Sequence, residues 1–215
     1  GLGRMGARHA RNLALRCPGA ELVAACSPVA AERAWAKDEL SVATTYANYP
    51  SLLGHPGLDA VAIVTPTSEH ASNIIAALDA GLHVFSEKPT SLLVEDCLRV
   101  EAAAARRPDR VVLIGYVRRL DASYREAYAK VQDGAIGTPF MVRSQTIDMN
   151  DPSGFFVRFA PTSGGIFCDM SVHDIDAARW FLGGAKATRV FATGTVAIHE
   201  GLKACGDLDN GVALC

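Results

Sequence analysis

The chain lacks any apolar run long enough to cross a bilayer. Its longest apolar stretches, such as residues 61–64 and 111–114, are strand-sized, against the ~20 residues a membrane helix needs. It also lacks a Lys/Arg run or basic stripe. Its 21 basic and 23 acidic residues are interspersed, and with a formal net charge of −2 there is no surface suited to neutralising a phosphate backbone, which excludes nucleic acid as the expected partner. No charged-then-apolar leader opens the sequence. No two of the cysteines (Cys17, Cys26, Cys97, Cys168, Cys205, Cys215) form a C-x-x-C pair, and most sit in apolar runs. Free thiols in a reducing cytoplasm are therefore expected in place of a disulfide framework.

What is present is enough apolar material for a sizeable core: 49% of 215 residues, which suits one large or two small domains. Up to about residue 115, β-rich runs at 21–26, 59–65, 83–86 and 110–115 alternate with helix-like stretches at 5–17, 30–40, 68–80 and 91–106. Strands alternating with helices imply a doubly wound parallel sheet covered by helices, and the strands are nearly continuous apolar runs, as doubly covered strands should be. Gly81 falls where a helix C-cap is wanted. Beyond Gly115 the alternation loosens. A helix is expected at 121–132, a strand at 139–148, a loop at 149–163, a helix at 165–181 and a strand at 186–198. This predicts an α/β domain over 1–116 and an α+β domain over 117–215. The chain opens inside a motif that normally follows a strand and stops inside a strand-like run, 211–215. A longer parent chain is expected, its strand before Gly1 central to the sheet.

Gly1-Leu2-Gly3-Arg4-Met5-Gly6 is G-x-G-x-x-G running directly into a helix. The glycines allow a tight turn and close approach to a pyrophosphate, and the helix N-terminus offers free N–H groups and a positive dipole end. An acid that grips the ribose hydroxyls of NAD belongs about 20 residues on; Ser27 stands there, followed by Pro28. Serine can hydrogen-bond a 2′-hydroxyl or a 2′-phosphate, and Arg33 and Lys37 fall on the next helix, so the choice between NAD and NADP stays open with NAD ahead. Thr65-Pro66-Thr67 ends one strand, His70 opens the next helix, and His83-Val84-Phe85-Ser86 ends on Glu87-Lys88-Pro89. Carboxyl ends of strands line the ligand crevice of open α/β sheets, which places Lys88 at the reactive end of a dinucleotide. Further on, Asp169 and His173 are four apart on an expected helix and share a face, where the acid can orient the imidazole for general-base work. The same pair could ligate a metal, with His199 a conceivable third ligand, but nothing positions it and no metal is expected.

In this order, Gly1-x-Gly3-x-x-Gly6, Thr65-Pro66-x-x-x-His70, Ala80-Gly81-x-His83-Val84 leading to Glu87-Lys88-Pro89, and Gly164-Gly165 before Asp169-x-x-x-His173-Asp174-Ile175-Asp176 resemble the family of glucose-fructose oxidoreductases and inositol dehydrogenases. Gly115-Tyr116-Val117-Arg118-Arg119 and the 165–181 segment are most similar to inositol 2-dehydrogenases. The resemblance spans essentially the whole chain. It implies a Rossmann domain followed by a domain with a large, mostly antiparallel sheet, assembled as a homotetramer or dimer. It implies a catalytic group of Lys88, Asp169 and His173. Cofactor contacts are expected from Gly1, Gly3, Arg4, Met5, Gly6, Ser27, Thr65, Pro66, Thr67, His70, Glu87 and Lys88, and further substrate contacts from Arg118, Asp148 and Asn150. The implied activity is oxidation of a secondary alcohol of an inositol-like polyol or sugar. Two alternatives remain: an NADPH-dependent keto-sugar reductase, and a dinucleotide sensor that performs no chemistry.

Overall fold

The computed structural model describes residues 1–215, which form two bodies, Gly1–Gly115 and Tyr116–Cys215. The first contains α1 (Arg4–Arg16), β1 (Ala24–Cys26), α2 (Ala30–Leu40), β2 (Thr44–Tyr46), α3 (Tyr49–Leu53), β3 (Ala60–Ile63), α4 (His70–Asp79), β4 (His83–Ser86), α5 (Val94–Ala105) and β5 (Val112–Ile114). Every pairing is parallel. β1 runs beside β2, and β4 lies between β3 and β5. The two ladders are separate, with no strand of the chain joining them.

Two short elements went unforeseen. β2 is only Thr-Thr-Tyr and carries no apolar run. α3 is a five-residue helix set by its cap, where Asn48 accepts from the Ser51 amide, and by a proline in its first turn. Gly81 does end α4 in the left-handed region (φ +81), with the amides of Gly81 and Leu82 closing on Leu78 and Ala77 carbonyls.

The core of this body is Val61, Ile63 and Val84 from the sheet against Ala71, Ile74, Ala77 and Leu78 of α4 and Val100 and Ala103 of α5. Ile74 and Leu78 are fully buried, each contributing roughly 1.5–3 kcal/mol of transfer free energy. Burial alternates along β3, with Val61 and Ile63 covered and Ala60 and Ala62 exposed, so this strand is covered on one face and not on both. A second cluster of Leu2, Ala10, Ala25, Ala36 and Val42, flanked by Trp35, packs α1 and α2 around β1.

The second body contains α6 (Ala122–Gln132), α7 (Phe155–Ser163), α8 (Gly165–Asp169), α9 (Ser171–Phe181), β6 (Phe191–Thr195) and β7 (Asn210–Leu214), with single 3-10 turns at Val117–Arg119 and Glu200–Cys205. Asp121 starts α6 by accepting from the Ser123 and Tyr124 amides. Here the sequence reading needs four corrections. Residues 139–148 form no strand; their alternation is real, but no second strand lies beside them to make a ladder, and Phe140, Met141 and Ile147 stay exposed. The expected loop at 149–163 contains α7, because Asp151-Pro152-Ser153-Gly154 is a helix start: Asp151 accepts from the Ser153 and Phe156 amides. The expected helix at 165–181 is divided into α8 and α9 at Met170. The strand expected at 186–198 shrinks to β6, whose antiparallel ladder with β7 is the whole sheet of this body. No helix is long and apolar enough to cross a membrane.

Candidate functional site

In the first body, Gly1, Gly3 and Gly6 differ in what forbids a side chain. A Cβ at Gly6 would lie 2.1 Å from the Gly1 carbonyl oxygen, and one at Gly1 would lie 2.5 Å from that of Val64. Those two glycines are required by the chain's own packing, and they press the loop onto the end of β3. At Gly3 the nearest atom to a Cβ would be Glu32 Oε1, 4.0 Å away. Gly3 is exposed and caps α1 without any side-chain hydrogen bond, so no side chain of the cap covers the first turn of the helix, which opens with the exposed Arg4 and the half-buried Met5. That first turn carries the donor set of an anion cradle, and it fits a pyrophosphate.

The register places Ile63, Ser86 and Ile114 side by side, so the connections after β3, β4 and β5 leave one edge of the sheet. His70, 2% exposed, lies inside that edge. Its Nδ1 is 2.7 Å from the Pro89 carbonyl oxygen and its Nε2 2.9 Å from that of Thr65. His70, expected as a cofactor contact, ties the Thr65 end of β3 to the corner after β4, because both ring nitrogens face backbone carbonyls. Pro66 is exposed and Thr67 half-buried at the start of the next turn. The corner itself is Glu87-Lys88-Pro89, with a cis Lys88–Pro89 peptide. Glu87 Oε1 is 2.8 Å from His9 Nε2 on α1, and Oε2 accepts from the Lys88 amide at 3.2 Å. Burial pushes the Glu87 carboxyl up, but these bonds and the charge of Lys88 outweigh it and hold the group below its ordinary range. Glu87 thus fastens α1 to the corner that carries the half-buried Lys88.

Ser27 directly follows β1 and is 1% exposed. Its Oγ accepts from the Val29 amide at 3.1 Å and donates to Glu32 Oε2 at 2.5 Å. Arg33 turns back from α2, its Nη1 donating to the Ser27 and Pro28 carbonyls at 2.7 and 3.0 Å. Glu32 lines a cleft of about 350 Å³ together with Leu2, Gly3, Arg4 and Trp35. The sequence reading missed Glu32. The available signal was an acid in the first turn of α2, five residues after the serine.

In the second body, His173 sits in the first turn of α9 and Asp169 ends α8, one helical turn earlier along the chain. Both are half-buried. α9 is held by two arginines. Arg118 donates from Nη1 to Asp174 at 2.6 Å and from Nη2 to Thr146, while Ser144 and Thr146 also donate to Asp174. Burial raises the Asp174 carboxyl, and these donors more than reverse it, holding it below its ordinary range. Arg119 makes a bidentate pair with Asp176 at 2.8 Å and covers the face of Trp180, which stacks on Tyr128 of α6. Arg118, expected to touch substrate, is thus occupied within the protein, where it joins the 144–146 segment to the helix carrying His173. Asp148 and Asn150 are exposed on chain without regular structure.

Residues 1–116 match the model of an oxidoreductase family with an NAD-binding Rossmann fold, GFO/IDH/MocA, and residues 124–215 match the C-terminal domain of the same family. The chain is 35% identical over 212 residues to the NAD(+)-dependent scyllo-inositol 2-dehydrogenase of Bacillus subtilis, covering 99% of this chain and 60% of that protein. It superposes on myo-inositol 2-dehydrogenase of Lactobacillus plantarum with a TM-score of 0.91 at 40% identity, covering 99% of this chain and 63% of that one. The scyllo-inositol dehydrogenase of Lactobacillus casei with bound NAD(H) and scyllo-inositol gives a TM-score of 0.91 at 41% identity, with the same coverage. The chain therefore spans about three fifths of the length of these relatives. With both halves matched, and with the glycine cradle and Lys88 corner in the first of them, the chain belongs to the GFO/IDH/MocA family of oxidoreductases.

Proposed function

We propose that the protein is a dehydrogenase that oxidises a secondary hydroxyl of a cyclic polyol, an inositol or close analogue, to the ketone, with NAD as hydride acceptor. The observation that carries this reading is the cradle at α1, in which Gly3 alone of the three glycines is kept clear of the protein's own atoms except Glu32. The inositol relatives, one of them holding NAD(H) and scyllo-inositol, support the substrate class. The dinucleotide, when bound, supplies the group that takes the hydride. The residues of the chain do the rest. His173 accepts the hydroxyl proton. Lys88 hydrogen-bonds the same oxygen and stabilises the negative charge that develops there. Asp169 orients the imidazole or binds a neighbouring hydroxyl, and aligning these groups is the protein's main contribution. Cofactor contacts are proposed from Gly1, Gly3, Arg4, Met5, Gly6, Thr65, Pro66 and Thr67.

A cytoplasmic location is proposed, since the spacing of the six cysteines includes no C-x-x-C pair and suggests no disulfide framework. A homo-oligomer is proposed as the working form, as the family resemblance implies; light scattering reads the assembly. The activity test is absorbance at 340 nm with NAD and myo- or scyllo-inositol. A rise with either supports the reading. Tight NADH binding with no turnover on any inositol or sugar, in either direction and with either cofactor, would establish a sensor instead.

A further inference from the structure

The strand end that usually selects NAD over NADP carries Ser27, which has no charge to repel a 2′-phosphate. We propose that Glu32, reaching back from the first turn of α2, is the anion that binds the adenosine ribose hydroxyls and turns NADP away; this rests on the dinucleotide function proposed above. Ser27 is not presented to such a ligand, being 1% exposed. A hydroxyl has one proton, and that of Ser27 is directed to Glu32 Oε2 at 2.5 Å. One of its two lone pairs is engaged by the Val29 amide at 3.1 Å. Ser27 therefore positions Glu32. The other carboxylate oxygen, Oε1, faces Gly3, 4.0 Å from where a side chain there would begin. It stands in the cleft shared by Leu2, Gly3, Arg4 and Trp35, beside the N-terminus of α1.

A carboxylate only accepts hydrogen bonds, and vicinal ribose hydroxyls donate them, so the two match. A 2′-phosphate offers no such donor and brings like charge. The cation nearest to Ser27 in sequence that could reverse the preference is Arg33, and its guanidinium donates to the Ser27 and Pro28 carbonyls. Arg4 lies at the helix N-terminus, where a pyrophosphate binds. The acid is thus displaced by five residues, from the strand end to the following helix, and returned to the cleft by a serine relay.

Dissociation constants for NADH and NADPH, measured by calorimetry on the wild type, Glu32→Gln, Glu32→Ala and Ser27→Ala, test this without reference to turnover. The wild type is expected to favour NADH. Glu32→Gln, which keeps the shape and an acceptor for Ser27, is expected to weaken NADH by roughly ten- to hundred-fold, the range of a hydrogen bond to a charged group. NADPH binding should hold or improve, and Ser27→Ala should move the ratio the same way by less. A helix-capping role alone would change the unfolding midpoint and leave the NADH:NADPH ratio in place, so a ratio within twofold of wild type in folded Glu32→Gln overturns the proposal. So does a wild type that binds NADPH as tightly as NADH. A wild type that binds neither overturns the dinucleotide reading itself.

Discussion

Replacing Asp174 with alanine takes the acceptor from three donors at once, the Arg118 guanidinium and the hydroxyls of Ser144 and Thr146. The side chains of Arg118 and Asp174 are only 14% and 16% exposed, so the pair is largely out of water. A hydrogen bond to a charged group contributes about 1.5–3 kcal/mol, and stranding a buried charge costs about 3–5. The two hydroxyls lie on chain without regular structure and can turn to solvent, so their share is small. Asp174→Ala is therefore expected to destabilise the second body by about 3 kcal/mol. Arg118→Ala should cost about 2, since it leaves the carboxylate its two hydroxyl donors. The double variant should cost at least ~1 kcal/mol less than the sum, because each single change has already broken the pair. The assay is urea unfolding followed by tryptophan fluorescence. The chain has one tryptophan in each body, Trp35 and Trp180, so a Trp35→Phe background leaves Trp180 to report the second body alone. Single variants within 0.5 kcal/mol of the parent, or strictly additive effects, would refute the claim that this cluster holds α9 in place.

Three other outcomes are expected. Gly6→Ala puts a Cβ 2.1 Å from the Gly1 carbonyl oxygen; the backbone must shift, at a cost of about 1–3 kcal/mol, and calorimetry should find NADH affinity lost while the fold persists. His173→Ala should reduce kcat by roughly a hundred- to ten-thousand-fold with the NADH dissociation constant nearly unchanged, and Lys88→Ala with full activity would defeat the catalytic assignment. Desolvation raises the Asp209 carboxyl, but the amides of Ala197, His199 and Ile198 outweigh it and hold the group well below its ordinary range. A depressed acid stabilises the fold above its unfolded value, near pH 4, and loses that contribution as pH falls through the folded value. The gap in urea midpoint between wild type and Asp209→Asn should therefore be full above about pH 4 and close below it.

The first body was legible because its signals are local. α2 and β4 fall on the predicted residues, and most other helices and strands on subsets of them, since a run such as His83–Ser86 with Gly81 before it leaves the chain few alternatives. The second body was less legible for two separate reasons. Residues 139–148 have the alternation of a strand, but a strand is a relation between two segments, and no segment in the chain pairs with them. Asp151-Pro152-Ser153-Gly154 has the composition of a loop, and only the directions of its hydrogen bonds make it the start of α7.

The candidate site divides along the same line. The glycine cradle is written in consecutive residues and was read from them. The roles of His70, Arg118 and Glu32 depend on where a side chain turns, and in each case a residue assigned by motif, or passed over, proved to be engaged with a partner that spacing does not name. His70 faces two carbonyls from different strand ends, Arg118 faces an acid 56 residues away, and Glu32 accepts the proton of Ser27. A motif locates the ligand's path through the sheet edge, but the identity of the group that touches it depends on which neighbouring donors and acceptors are already satisfied. For Ser27 that accounting joins with burial: at 1% exposure, and with its one proton held by Glu32, the hydroxyl is neither presented to a sugar or a phosphate nor able to donate to one.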